Sequence, residues 1–272
     1  MPGLIMAELL SLLLGTVLLR PYVFLFLVVY LVAAIRDLGG RRTLAFTGWA
    51  WAVAFAAEYS STRTGIPFGL YHYTQSTRGE ELYLTNVPLM DSLAFPFLAY
   101  AAFSLARLLL GTDRGLRVIA LSGVLMMWLD LVIDPLAVRG DRWFLGRVFY
   151  YPEGGVYFGV PLSNFLGWVI LGWVIVGGYQ VFAGRVGERP SLSRTLSWER
   201  LLGPGLYYGM LAFALALTWW IGEPLLLGVG VLLHAPVVLL LWSSKTLKAV
   251  SLGREAFAPH AIADFRDEVR RS

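Results

Sequence analysis

The sequence predicts an all-α fold, a polytopic membrane bundle of seven transmembrane helices with an eighth apolar segment at its start and a short β-hairpin on the outer loops. Three observations carry that reading. Of 272 residues, 57% are hydrophobic and 15% charged, with a mean hydropathy of +0.66; an ordinary soluble domain carries roughly 25% charged residues. The apolar residues form long unbroken runs rather than the short alternating segments of a membrane β-barrel. The basic residues are confined to the segments between runs, and mostly to alternate ones.

In chain order, residues 1–19 are apolar and end at Arg20-Pro21. This stretch is expected to be an interfacial or inserted helix. It has neither the basic start nor the small-residue cleavage site of a signal peptide. Seven runs of spanning length follow, at about 21–36, 43–60, 88–108, 117–136, 161–182, 203–221 and 224–242. Residues 243–272 form a polar tail, and the whole of 1–272 reads as one integral membrane domain. The glycines at 155, 159, 167 and 172, and at 203, 205 and 209, are expected to permit close helix packing.

Sixteen basic residues fall on one side of this arrangement. They are Arg36, Arg41, Arg42, Arg107, Arg114, Arg117, Arg185, Arg189, Arg194, Arg200 and six in the tail from Lys245 to Arg271. Five (Arg63, Arg78, Arg139, Arg142, Arg147) fall on the other. By the positive-inside rule the tail is cytoplasmic and the 61–87 and 137–160 loops face outward, in a multi-pass cell-membrane protein. The pI near 9.4 does not imply nucleic acid, because no basic face or stripe exists. Zero cysteines exclude disulfide and thiolate chemistry.

The polar residues inside the runs gather at their outer ends. Glu58 closes the second run, Asp91 opens the third, Asp130 and Asp134 close the fourth, and Asn164 opens the fifth. A carboxylate near a bilayer centre costs about 2.5 kcal/mol or more, so such residues point to function before structure. Asp130 and Asp134, four apart, share a helix face. Helix-end capping is the plainer alternative; it predicts a matching set at the inner ends, where arginine dominates instead. A polar cavity in the outer half of the membrane is therefore expected. Its roof would be the loop GIPFGLYHYT with its Tyr-x-Tyr alternation, paired as a hairpin with residues 82–87, and the aromatic loop at 149–161.

These residues carry a resemblance. EYSSTRTGIPFGLYHYT, NVPLMD, DLVIDPLAVRGDRW and YFGVPLSNFLGW are similar to the signature blocks of the CruF-type carotenoid biosynthesis family, over about residues 20–240. The resemblance implies a carotenoid 1,2-hydratase acting on the acyclic ψ-end of γ-carotene, lycopene-type or bisanhydrobacterioruberin-type substrates. It also implies a carotenoid and membrane lipid as partners, association with other carotenoid enzymes, and no redox cofactor.

The residues are compatible with that chemistry. Hydrating a trisubstituted terminal alkene needs a proton at C2, a stabilised cation at C1 and one admitted water. A carboxyl in a water-poor site holds its proton at neutral pH, and a second carboxyl beside it strengthens this. Asp130 with Asp134 fits, Asp134 being taken as the donor because it lies nearer the outer surface, beside Pro135, which is expected to end the helix there. Glu58 or Asp91 would orient the water. Aromatic faces stabilise a cation by about 0.5–2 kcal/mol each; Tyr71, Tyr73, Trp128 and Trp168 are the candidates, with His72 and Asn164 beside the substrate.

Other classes fit less well. A di-iron hydroxylase needs clustered histidines, whereas His72, His234 and His260 are far apart, so no metal site is read; His234 suits a core role. A retinal protein needs a mid-membrane lysine, and both lysines lie beyond the last run. A membrane prenyltransferase, the first alternative, would use Asp130 and Asp134 as half of a Mg²⁺–diphosphate site but lacks a second aspartate-rich cluster. A non-catalytic carotenoid carrier, the second, would need the aromatic cavity but no acid.

Overall fold

The computed structural model describes residues 2–183 and 198–243, which form eight α-helices and two small strand pairs. The helices are α1 (Pro2–Leu19), α2 (Pro21–Leu38), α3 (Gly40–Thr64), α4 (Leu89–Leu110), α5 (Leu116–Ala137), α6 (Leu162–Phe182), α7 (Leu202–Trp220) and α8 (Pro224–Ser243). Local chemistry sets their ends. α2 and α8 start at proline, whose missing N–H would be unpaired there anyway. α3 and α4 end at Gly65 and Gly111 in the left-handed conformation, with φ of 77° and 62°.

Six of these helices are long and apolar enough to cross a bilayer: α2, α4, α5, α6, α7 and α8. The chain is therefore a multi-pass membrane protein. The expected count of seven is reduced on composition by α3, which has the length but carries Glu58, Arg63 and several hydroxyls. α1 counts as a shorter apolar helix, Ile5–Leu19. The expected cytoplasmic tail at 244–272, and the connection at 184–197, lie outside the described residues.

α4 runs through the middle of the bundle, with buried residues from Met90 to Leu108 around most of its circumference. A helix apolar on every side belongs in such a position. α5 and α6 pack most intimately. A β-carbon on Gly123 would lie 2.6 Å from the Val169 carbonyl oxygen, and one on Gly172 2.6 Å from the Gly123 α-carbon. Small residues let helix backbones approach this closely in a membrane.

Two expectations are corrected. The expected pairing of the GIPFGLYHYT loop with residues 82–87 does not form. Instead β1 (His72–Tyr73) pairs antiparallel with β4 (Phe149–Tyr150), joining the two outer loops, while β2 (Tyr83–Leu84) and β3 (Val87–Pro88) make a tight hairpin of their own. Its two-residue turn carries Thr85 at φ 60°, the positive φ that such turns need. Pro135 does not end α5 either. The helix continues to Ala137, and the proline leaves the Leu131 carbonyl without its usual i+4 amide donor.

The loops are tied to the bundle by polar contacts. Arg20, only 1% exposed, pairs with Glu81 at 3.5 Å, and Thr16 Oγ1 of α1 accepts the Leu82 amide at 2.9 Å. Arg139 and Arg142 both pair with Glu223 in the α7–α8 turn. At the opposite end of the bundle Arg107 pairs with Asp37, which also accepts a hydrogen bond from Tyr100 at 3.1 Å.

Candidate active site

Beneath the joined loops lies a cavity of about 190 Å³. Its walls come from α2 (Tyr22, Phe26), α4 (Phe95, Phe97), α5 (Ile133) and α7 (Met210, Phe213), and its roof from Tyr71, Tyr73, Phe149 and Tyr151. Glu58, Asp91, Asp134 and Asn164 supply its polar side chains other than the tyrosine hydroxyls and the indoles. No lysine or arginine lines it among the described residues.

The carboxyls fall into two groups. Glu58 on α3 is 4% exposed. It accepts the Tyr73 hydroxyl at 3.0 Å on one oxygen and the Ser92 hydroxyl on the other. Asp91, one residue before Ser92, borders the cavity alongside. The second group is on α5. Asn164 Nδ2 donates to Asp130 Oδ2 at 2.9 Å and to Asp134 Oδ2 at 2.6 Å, so one amide on α6 bridges both acids. Asp134 faces the cavity, whereas Asp130, 1% exposed, sits behind it with Oδ1 lacking a partner.

The roof tyrosines form a continuous aromatic cluster. Tyr71 packs edge-on against Tyr73 at 5.4 Å and Tyr151 at 5.8 Å between ring centres. The Tyr71 and Tyr73 hydroxyls lie 3.4 Å apart. Burial pushes all three phenols well above their ordinary range, and neighbouring carboxylates push the same way. They are neutral hydroxyls at any physiological pH. Trp168 stacks on Phe95 at 4.6 Å and 9°, with Phe68 at 5.9 Å, and all three rings line the cavity.

Of the residues expected from sequence, Glu58, Asp91, Asp134, Asn164, Tyr71, Tyr73 and Trp168 border this one space. Asp130 does not border it and reaches it through Asn164 and Asp134. Two do not take part. Trp128 faces α8, where its indole donates to the Leu233 carbonyl at 2.9 Å and its own carbonyl meets His234 at 3.1 Å. His72 is exposed and lies against Tyr150 at 6.0 Å. Both placements follow from periodicity. Trp128 is two residues from Asp130, about 200° around the helix, and His72 alternates with two inward tyrosines on a strand. The same rules reveal a cavity residue not singled out beforehand, Phe95, four residues after Asp91, and pick Phe149 and Tyr151, two apart, out of the aromatic loop expected as roof.

A multi-pass membrane protein with a small, mostly apolar, carboxyl-bearing cavity near one end of its bundle is thus the class that fold and site define. The model of the carotenoid biosynthesis protein family matches residues 12–237. The chain belongs to that family. It is 31% identical over 146 residues to the bisanhydrobacterioruberin hydratase of Haloarcula japonica, a match that covers 52% of this chain and 45% of that protein. The matched region thus spans less than half of the relative's length. No solved structure matches.

Proposed function

We propose that this protein is a carotenoid 1,2-hydratase, adding water across the terminal C1=C2 bond of an acyclic ψ-end such as that of lycopene or γ-carotene. The observation that carries the reading is a mostly apolar cavity bordered by Asp134, with Asp130 directly behind it, and by Glu58 and Asp91. Asp134 in its acid form gives its proton to C2, with Asp130 and the Asn164 amide holding it in place. Both acids cannot ionise cheaply at this separation, which favours a proton held between them. The tertiary cation at C1 lies against the Trp168 and Phe95 faces. Water held by Glu58 and Asp91 closes on C1 and leaves its extra proton with that pair. The similarity to a hydratase supports the same chemistry.

The cavity's size fits one end group. An apolar cavity of about 150 Å³ takes up a guest the size of benzene, so about 190 Å³ admits a terminal isoprenoid unit while the polyene remains outside. The absence of basic lining residues among those described makes a diphosphate a poor guest.

We also read α3 as the seventh crossing. Its 25 residues extend about 37 Å at 1.5 Å per residue, enough for a hydrocarbon core of about 30 Å. Its low hydropathy comes from polar residues turned inward, including Thr43, Glu58 and Ser61, all under 5% exposed. With the basic asymmetry, seven crossings put the carboxyl cavity in the outer half of the membrane and the C-terminus in the cytoplasm.

Expression in a host that accumulates lycopene tests the activity. The expected result is a product heavier by one water; unchanged lycopene bound to the purified protein would make it a carrier instead.

A further inference from the structure

Acid-catalysed hydration leaves a proton imbalance inside a mostly apolar site. The alkene π pair forms the C2–H bond with the proton of Asp134, which becomes a carboxylate. A lone pair of water forms the C1–O bond, and the resulting oxonium loses a proton to the Glu58/Asp91 pair. At the end of each turnover one carboxyl group is short of a proton and the other holds one too many. The cavity must be reset before the next alkene reacts.

Resting on that reading, we propose that the hydroxyls of Tyr73 and Tyr71 return the proton from the Glu58/Asp91 pair to Asp134, making the site a closed proton circuit. Tyr73 is already bonded to Glu58 Oε1 at 3.0 Å, and its hydroxyl is 3.4 Å from that of Tyr71. Tyr71 borders the same cavity as Asp134 and lies close enough to feel that carboxylate; in the proposed relay, cavity water carries the proton between them. The protonated Glu58 donates to the Tyr73 oxygen as Tyr73 donates to Tyr71, Tyr71 to the water, and the water to the Asp134 carboxylate. Each oxygen gains one proton and loses one, so no charge accumulates on the chain. Burial suits the phenols to this task, because hydroxyls that resist ionisation pass a proton without retaining a charge. Tyr73 stands on the β1–β4 ladder, and Tyr71, just before that strand, packs its ring edge-on against the Tyr73 ring at 5.4 Å.

The test uses full-length protein in lipid nanodiscs with lycopene. Tyr73→Phe and Tyr71→Phe keep the rings and remove the oxygens. Each is expected to lower turnover by about 100-fold or more, within the range of proton-transfer catalysis, with lycopene uptake, read by its absorption, unchanged. Added imidazole, small enough to carry the proton instead, is expected to restore turnover in both variants and leave the unsubstituted protein unaffected. Unchanged turnover in either Phe variant, or a loss that imidazole does not restore, overturns the relay while hydration by the parent protein leaves the proposed function standing. A parent protein that forms no hydrate overturns both.

Discussion

At the scale of single residues, the Asn164 amide decides how the two α5 acids behave. It is the hydrogen-bond partner of Asp130 Oδ2 and of Asp134 Oδ2 alike. Asn164→Leu keeps the volume but removes the amide donor that both buried carboxyls share, which costs about 1–3 kcal/mol. Its thermal midpoint in detergent is expected to fall while the helix content measured by circular dichroism persists. Asp134→Asn keeps shape and removes the acid, so hydration is expected to stop with lycopene uptake intact. An Asp134 that served only the fold would instead lower the yield of protein and leave turnover per molecule unchanged; full turnover in both Asp134→Asn and Asp130→Asn would move the acid to Glu58. The site carboxyls were legible from sequence because ionisable groups in apolar runs are rare. Ser92 was not, since a serine within an apolar helix carries no such signal until Glu58 is seen across from it.

At the scale of elements, the helices were legible and their connections were not. Length and apolar content locate a spanning helix to within a residue or two, as for 203–221 against Leu202–Trp220. A two-residue strand such as His72–Tyr73 has no periodicity of its own, and its partner at 149–150 lies more than seventy residues away. The α5–α6 contact rests on glycine. Gly123→Val would drive a branched side chain into the Val169 carbonyl and Trp173, at about 1–3 kcal/mol of overpacking, and because these helices carry both α5 acids and Asn164, turnover is expected to fall with stability. The α7–α8 turn responds to acid. Desolvation pushes the Glu223 carboxyl up, but the Arg142 hydrogen bond and the Arg139 charge outweigh it and hold it below the ordinary carboxylate range. A lowered folded-state value gives stability that is complete above the unfolded value, near 4.3, and is lost as pH falls through the folded one. Thermal scans of Glu223→Gln are expected to lose part of that acid sensitivity below about pH 4.3.

At the scale of the whole molecule, orientation is the quantity that composition reaches and packing does not. Six spans follow from length and apolarity; the proposed seventh rests on the buried polar residues of α3. A reporter fused after Ser272 is expected to be active in the cytoplasm, and a cysteine at His72, exposed on the roof, to react with an impermeant maleimide from outside intact cells. Labelling of that cysteine only after lysis would place the roof, and the site beneath it, on the inner face.

The cavity's modest volume has a kinetic consequence. A polyene with two reactive termini cannot have both in a space that admits one, so the proposed hydratase would act distributively: bind one terminus, react, let go, and meet the molecule again by lateral diffusion in the bilayer. A singly hydrated species should then rise and decay during the conversion of lycopene, and its peak fraction should stay the same when enzyme is diluted. Competition between fresh and half-converted molecules, rather than any sensing of the far terminus, would set the final ratio of mono- to dihydroxylated pigment.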